Sequence, residues 1–353
     1  MPSFFSSKES KSLDFALTSR KNNLDMIRFF AALAVLFSHS FTLTQGYDSS
    51  DLVSKFSGGN LSLGGIAVGI FFFYGGFLIA KSCERHPSGK AYFKARALRI
   101  FPELIFVILG TTFIVGPIFT SLPIQEYFTS SETYRYLINI LLIPNHTLPG
   151  LFEQTPFGGD PNGALWTLPV EFACYIICFV VYHLTKYKGK GFFVALALIP
   201  LSFLGYAYLC FPLYLSVIRA ILLFCIGVAC YVYRDKIKLT QQKGFISLAL
   251  FVGLIALHLP TIAMLVVFPY MALYFGFGTK KSFSSFAEHG EFSYGIYLWG
   301  WPTQQCLVQL FNYQMPWWLN AILACAITIA LGFLNNRIVT KPLMGYVKRK
   351  RHA

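Results

Sequence analysis

The sequence predicts an all-α, polytopic transmembrane helical bundle of about ten spans with both termini cytoplasmic. Three observations carry this prediction. Of the 353 residues, 55% are hydrophobic and only 12% charged, about half the charged share of a soluble chain. The apolar residues gather into runs long enough to cross a bilayer, where only a helix or a closed barrel satisfies its own backbone. The basic residues cluster between alternate runs. A disordered chain, a collagen-like chain and an ordinary cytosolic enzyme are excluded, because none has this much apolar surface to bury.

The runs are 24–43, 62–81, 100–120, 164–185, 191–210, 213–233, 244–258, 260–277, 291–311 and 317–338. The seventh and eighth are short and meet at Leu259-Pro260, so one kinked or re-entrant unit is an alternative there. Residues 1–23 form a cytoplasmic tail, and its Lys8, Glu9, Lys11 and Asp14 do not make a cleavable signal. Segment 133–144 is too short to cross and reads as an interfacial or docked helix. It lies within a long extracytoplasmic connection, 121–163, which carries Glu126, Glu132, Glu153 and Asp160 against Arg135 alone. A connection this long is more often a functional cover than an idle link. With no internal repeat, low-complexity tract or appended soluble domain, 1–353 reads as a single transmembrane domain.

Lys and Arg total 29 against 15 Asp and Glu, a net charge of +14. All the basic residues except Lys55, Arg135 and Arg219 fall on one side if the chain crosses ten times. That asymmetry sets the orientation and suits anionic lipid headgroups better than nucleic acid. The eight cysteines are scattered, without a CxxC pair or a histidine cluster. They read as small buried hydrophobes, not as metal ligands or disulfides.

Ionisable groups inside apolar runs are costly and therefore informative. The first run, LDMIRFFAALAVLFSHSF, holds Asp25, Arg28 and His39. Eleven residues is about three turns plus 20°, so Arg28 and His39 share a face roughly 16 Å apart along the axis. Taken alone, Arg28 is equally a snorkelling anchor and His39 equally a structural histidine. The fourth run places Glu171 at a depth similar to His39, where a carboxylate can orient an imidazole and raise its basicity. The alternative is a Glu bonded to backbone freed by Pro169. In 92–102, YFKARALRIFP, Arg96 and Arg99 are i, i+3 neighbours with Lys94 beside them. They read either as lipid-facing topology charges or as a guanidinium fork for a phosphorylated cytosolic cofactor. The second run is rich in small residues (Gly64, Gly65, Ala67, Gly69, Gly75, Gly76), which first of all means close helix packing. Tyr294, Tyr297 and Trp301 line one face of the ninth run, more often core or interface anchor than site.

These segments together resemble the acyltransferase-3 family of integral membrane acyltransferases, many of which O-acetylate bacterial cell-surface sugars. The resemblance rests on LDMIRFFAALAVLFSH with its Arg-x10-His spacing at Arg28 and His39, GIFFFYGGFLI (69–79), YFKARALRIFP (92–102), LWTLPVE (165–171) and SYGIYLWGWP (293–302). The five occur in the family's order over nearly the whole chain. The resemblance implies ten helices, an acyl-CoA donor (usually acetyl-CoA), a sugar hydroxyl acceptor and a bacterial inner-membrane location. It implies that Arg28 and His39 are essential and that Glu171, Arg96 and Arg99 match functional positions. This chain departs from the family at Gly75 (usually Ser), Gly300 (His in many relatives) and Thr340 (often Glu).

The expected mechanism follows. Arg96, Arg99 and Lys94, with Arg28, hold the CoA phosphates at the inner face. The acceptor, a lipid-linked or nascent polysaccharide, docks outside beneath 121–163. His39 removes the hydroxyl proton, with Glu171 and Arg28 as the other catalytic residues, or carries the acetyl group itself. Trp166, Asp25 and Tyr297 are the substrate-side residues. No metal is expected. A transporter or lipid-linked sugar flippase is the rival, since buried charge also lines transport pathways.

Overall fold

The computed structural model describes residues 11–18, 22–86, 88–202, 214–279, 282–283, 286, 292–343 and 345. Helix meets every expected run: α1 Leu24–Gln45, α2 Leu63–Arg85, α3 Gly89–Phe119, α4 Gly163–Thr185, α5 Gly189–Ser202, α6 Tyr214–Val232, α7 Gln241–Ala256, α8 Pro260–Gly278, α9 Ser293–Leu310 and α10 Trp317–Leu343. Among the described residues seven helices, α1, α2, α3, α4, α6, α8 and α10, are long and apolar enough to cross a membrane. The rest of the 191–210 run lies outside the described residues, as do the tail lysines and arginines Lys8, Arg20, Lys21, Lys280, Lys281 and Lys348 to Arg351.

Three expectations are refined. Helix α3 begins at Gly89, well before the apolar run, because hydropathy marks only the part meant for lipid while the helix ladder continues through the basic 92–99 stretch. The segment 133–144 is not one helix. Ser131–Arg135 is α-helical and Tyr136–Leu141 is 3-10, ending at Leu142 with φ 62°. There the Asn139 side chain captures both backbone groups of Asn145 and breaks the ladder. The runs at 244–258 and 260–277 are two helices packed on one another, separated by a turn with His258 at φ 58° and Pro260 opening α8.

The chain forms two compact units. The first comprises 1–31, 52–87 and 170–289. Its centre is the pairing of α2 with α6. A Cβ on Gly76 would lie 2.0 Å from the Phe224 carbonyl oxygen, and one on Gly227 2.1 Å from that of Phe73. The two backbones therefore touch through glycine, the close-packing meaning of small residues in membrane helices. Tyr74 donates to the Ala272 carbonyl at 2.6 Å and ties α2 to α8. Two short strands, β1 Lys11–Ser12 and β2 Lys238–Leu239, pair antiparallel. Beside them Arg234 reaches Asp14 at 2.9 Å and Glu84 at 3.5 Å.

The second unit comprises 32–51, 88–169 and 290–353. Helices α9 and α10 pack where Gly295 meets Gly332. Helix α3 contains a π-helical turn, Thr111–Val115, one turn before its end, and Tyr127 donates to the Thr112 carbonyl at 2.8 Å. Gly116 leaves the space for that phenol. The 121–163 connection is a built structure with buried Tyr127, Thr133, Tyr136, Leu151 and Phe152. An isolated bridge from Thr120 to Leu151 fastens it to the end of α3, and Gln309 of α9 donates to the Phe119 carbonyl at 2.9 Å.

Candidate active site

Helix α1 carries Asp25, Arg28 and His39 on one continuous helix, as their spacing requires. Asp25 lies in its first turn, where a carboxylate complements the helix dipole. His39 is half-buried. Its ring stands edge-on to Trp301 of α9, centroids 4.9 Å apart and planes at 76°. The carboxylate of buried Asp51, just beyond α1, is the charged group that acts on this imidazole. Ser38, the residue before His39, donates a very short hydrogen bond to Asp51 Oδ2. The histidine thus packs on an indole, and its sequence neighbour Ser38 holds the Asp51 carboxylate, all within the second unit.

The helix beneath it is fixed by buried amides. Gln304 Nε2 lies 2.9 Å from the Leu36 carbonyl, 2.8 Å from Ser40 Oγ and 2.9 Å from Asn320 Oδ1. Asn320 Nδ2 returns a bond to the Gln304 carbonyl at 3.1 Å. These contacts hold one turn of α1 against α9 and α10, so the His39–Trp301 geometry is set by neighbours on both sides. Gly300 completes the fit, since a Cβ there would come within 2.6 Å of Leu36. The histidine common in relatives at this position would displace Leu36.

A second polar cluster sits on α3. Arg96 and Arg99 are half-buried, Lys94 is exposed, and Glu103 is buried one turn further on. Thr340 donates to Glu103 Oε1 at 2.6 Å, and the Arg99 guanidinium acts on the same carboxylate. A Glu at 340, frequent in relatives, would instead face Glu103 with a like charge. Among the described residues the other oxygen, Glu103 Oε2, has no hydrogen-bond partner, nor do Ser293 Oγ and both amide atoms of Asn335. A point at the Cβ position of Gly295 is 3.3 Å from Glu103 Oε2 and 3.5 Å from Asn335 Nδ2. Buried polar atoms are rarely left unpaired, so this cluster fits a polar ligand group carrying both donors and acceptors.

The other expected residues are placed as follows. Glu171 is half-buried in the first unit and accepts a very short bond from Tyr175, one turn along α4. Arg28 is half-buried, and its place on α1 falls in the first unit. Trp166 closes the 3-10 turn that opens α4 and is half-buried. Tyr297 is buried, sharing a bond with Thr167 Oγ1 at 2.9 Å and donating to the Ala164 carbonyl at 3.0 Å. Tyr294 donates to the Ile100 carbonyl at 3.3 Å. The aromatic stripe of α9 is therefore tied into the unit's interior. Glu103, Asp51, Ser293 and Asn335 were not singled out by sequence reasoning. Glu103 had a signal, being an acid one turn into an apolar run. Asp51 had none, because a loop carboxylate looks solvated until its neighbours are known. Among the described residues no three His, Cys, Asp or Glu side chains converge as a metal site.

By class this is a polytopic helical membrane protein, with the His39–Trp301 pair and the Arg96, Arg99 and Glu103 cluster in one unit. A family model described as an acyltransferase domain matches residues 21–336. The chain belongs to this acyltransferase-3 family and is a membrane acyltransferase. An O-acetyl transferase of Shigella phage Sf6 is 30% identical over 341 residues, 91% of this chain and 96% of its own. Nodulation protein 10 of Rhizobium leguminosarum bv. viciae is 29% identical over 168 residues, 45% of this chain and 43% of its own. Acyltransferase MdmB of Streptomyces mycarofaciens is 30% identical over 167 residues, 47% and 40% respectively. No solved structure matches.

Proposed function

We propose that this chain transfers an acetyl group from acetyl-CoA to a hydroxyl of an extracytoplasmic sugar, of O-antigen, capsule or exopolysaccharide type, at a bacterial inner membrane. The observation that carries the reading is His39, half-buried on α1 with Trp301 edge-on to its ring, in a chain 30% identical to a named O-acetyl transferase over almost its full length.

Bound acetyl-CoA supplies an activated acyl carbon and a thiolate leaving group. Arg96, Arg99 and Lys94, with Arg28, bind its phosphates as charge-assisted donors. Glu103, Ser293 and Asn335 satisfy the amides of the arm, which cannot lie in hydrocarbon unpaired. His39 takes the proton of the sugar hydroxyl as its oxygen bonds to the acyl carbon. The carbon–sulfur bond then breaks, and the imidazolium returns the proton to the departing sulfur. Asp51 stabilises the imidazolium between the two events. Glu171 orients the imidazole, Trp166 and Tyr297 shape the acceptor side, and Asp25, one turn before Arg28 at the inner end of α1, contributes to substrate binding on the donor side.

The test uses purified full-length protein in nanodiscs, radiolabelled acetyl-CoA and surface polysaccharide from a strain lacking the gene. His39→Ala is expected to lower label transfer by at least ~100-fold with CoA binding retained. Transfer at the wild-type rate refutes the base. Glu171→Gln in the same assay tests the second acid.

A further inference from the structure

His39 stands at one end of a row of aromatic rings. Trp301 is 4.9 Å from His39, Phe157 is 4.9 Å from Trp301 at 84°, and Tyr47 is 6.0 Å from Phe157 at 37°. All four rings belong to the second unit. From Trp301 outward exposure rises: Trp301 is 6% exposed, Phe157 is half-buried and Tyr47 is 59% exposed. The row therefore links an exposed ring to the buried indole that packs on the proposed base.

The loop that holds Phe157 is rigid. Thr155 donates to the Phe152 and Gly158 carbonyls at 2.8 and 3.2 Å. Gln305 donates to the Gly158 carbonyl at 3.1 Å, and Trp301 Nε1 to the Asp160 carbonyl at 3.0 Å. Gly158, at φ 99°, turns the chain directly after Phe157. Gly163 leaves room for the Trp301 ring beside Asp160, since a Cβ there would meet both within 2.9 Å. One edge of the row is polar. Asp160 accepts from His146 Nδ1 at 3.0 Å and from the Asn162 backbone at 2.9 Å, which leaves part of its acceptor capacity open. Its side chain is 18% exposed.

We infer that Tyr47 and Phe157, the latter backed edge-on by buried Trp301, form a stacking shelf for pyranose rings of an extended saccharide, with Asp160 accepting from a sugar hydroxyl. The inference rests on the sugar acceptor proposed above. The apolar C–H face of a pyranose packs on an aromatic ring, while its hydroxyls need carboxylate and imidazole partners at the rim. A lipid chain would leave the remaining acceptor capacity of Asp160 unused. Tyr47 lies three ring-to-ring steps from His39, so the saccharide residue on Tyr47 is not the one acetylated. The shelf thus selects a polymer or oligosaccharide over a free monosaccharide.

The experiment measures steady-state transfer by the full-length protein with two acceptors: the polysaccharide from the strain lacking the gene, and the monosaccharides from its acid hydrolysis. Tyr47→Ala and Phe157→Ala are expected to raise KM for the polysaccharide by about tenfold, an aromatic contact's worth. The KM for acetyl-CoA and the melting temperature stay at wild-type values. Tyr47→Phe restores the polysaccharide KM, and the polymer's advantage over the monosaccharides shrinks in the alanine variants. As a readout free of catalysis, a cysteine at the exposed neighbouring position, in Asp48→Cys, is expected to react more slowly with an impermeant maleimide when the polysaccharide is present. An unchanged polysaccharide KM with unprotected labelling overturns the shelf. Wild-type protein that acetylates no saccharide overturns the sugar acceptor itself, a separate result from the KM split.

Discussion

The pairing of His146 with Asp160 makes a residue-level prediction that is independent of catalysis. The hydrogen bond that His146 donates to Asp160 holds the imidazole above the ordinary histidine value of 6.5, and partial burial opposes it. A raised folded value means the pair contributes its full stabilisation below pH 6.5 and loses it as pH rises through that higher value. The melting-temperature gap between wild type and His146→Gln is therefore expected to be largest below pH 6.5 and to close on the alkaline side. A gap that does not vary with pH removes the pair as a source of stability. The same pair shows what a single residue discloses. His39 announces itself in the sequence because an imidazole in an apolar run is costly. Asp51, which acts on it, and Trp301, which packs on it, are ordinary letters until the end of α1 and the face of α9 are brought together.

At the scale of the element, adjacent glycines on α2 have opposite meanings. A Cβ at Gly76 collides with the Phe224 carbonyl, whereas one at Gly75 sits 3.9 Å from the Phe224 ring, an ordinary contact. Gly76→Ala is expected to destabilise by about 1–3 kcal/mol through forced separation of α2 and α6. Gly75→Ser, the residue common in relatives, is expected to leave the melting temperature within a degree or two. Thermal melts in detergent decide; equal losses at both positions dismiss the close-contact account. The run of small residues was legible as a packing surface. Which glycine touches backbone was not, because that depends on the rotation of α2 against α6. In the same way hydropathy located α3 but placed its start late, since a helix continues past lipid wherever its ladder is satisfied.

At the scale of the whole molecule, the distribution of Lys and Arg predicts ten crossings with both ends in the cytoplasm. Lys55, which follows α1, and Lys188, which precedes α5, are both exposed and are assigned to opposite sides. A cysteine in Lys55→Cys is expected to react with an impermeant maleimide on intact spheroplasts, and one in Lys188→Cys only after permeabilisation. The reverse pattern, or labelling of both from outside, rejects the orientation. The sequence by itself determined that the chain is a helical membrane protein, where its helices lie and which histidine and arginines stand out. Those properties are local: hydrophobic run length and the cost of charge in hydrocarbon are written in adjacent residues. The tertiary structure alone decided that Glu103 of α3 and Asn335 of α10 meet beside Gly295 of α9, with buried polar atoms left open among the described residues. It alone set Asp51 and Trp301 around His39 and lined Phe157 and Tyr47 behind them. Such contacts join residues far apart in the chain, and they are fixed by how helices rotate and pack, which no run of neighbouring letters specifies.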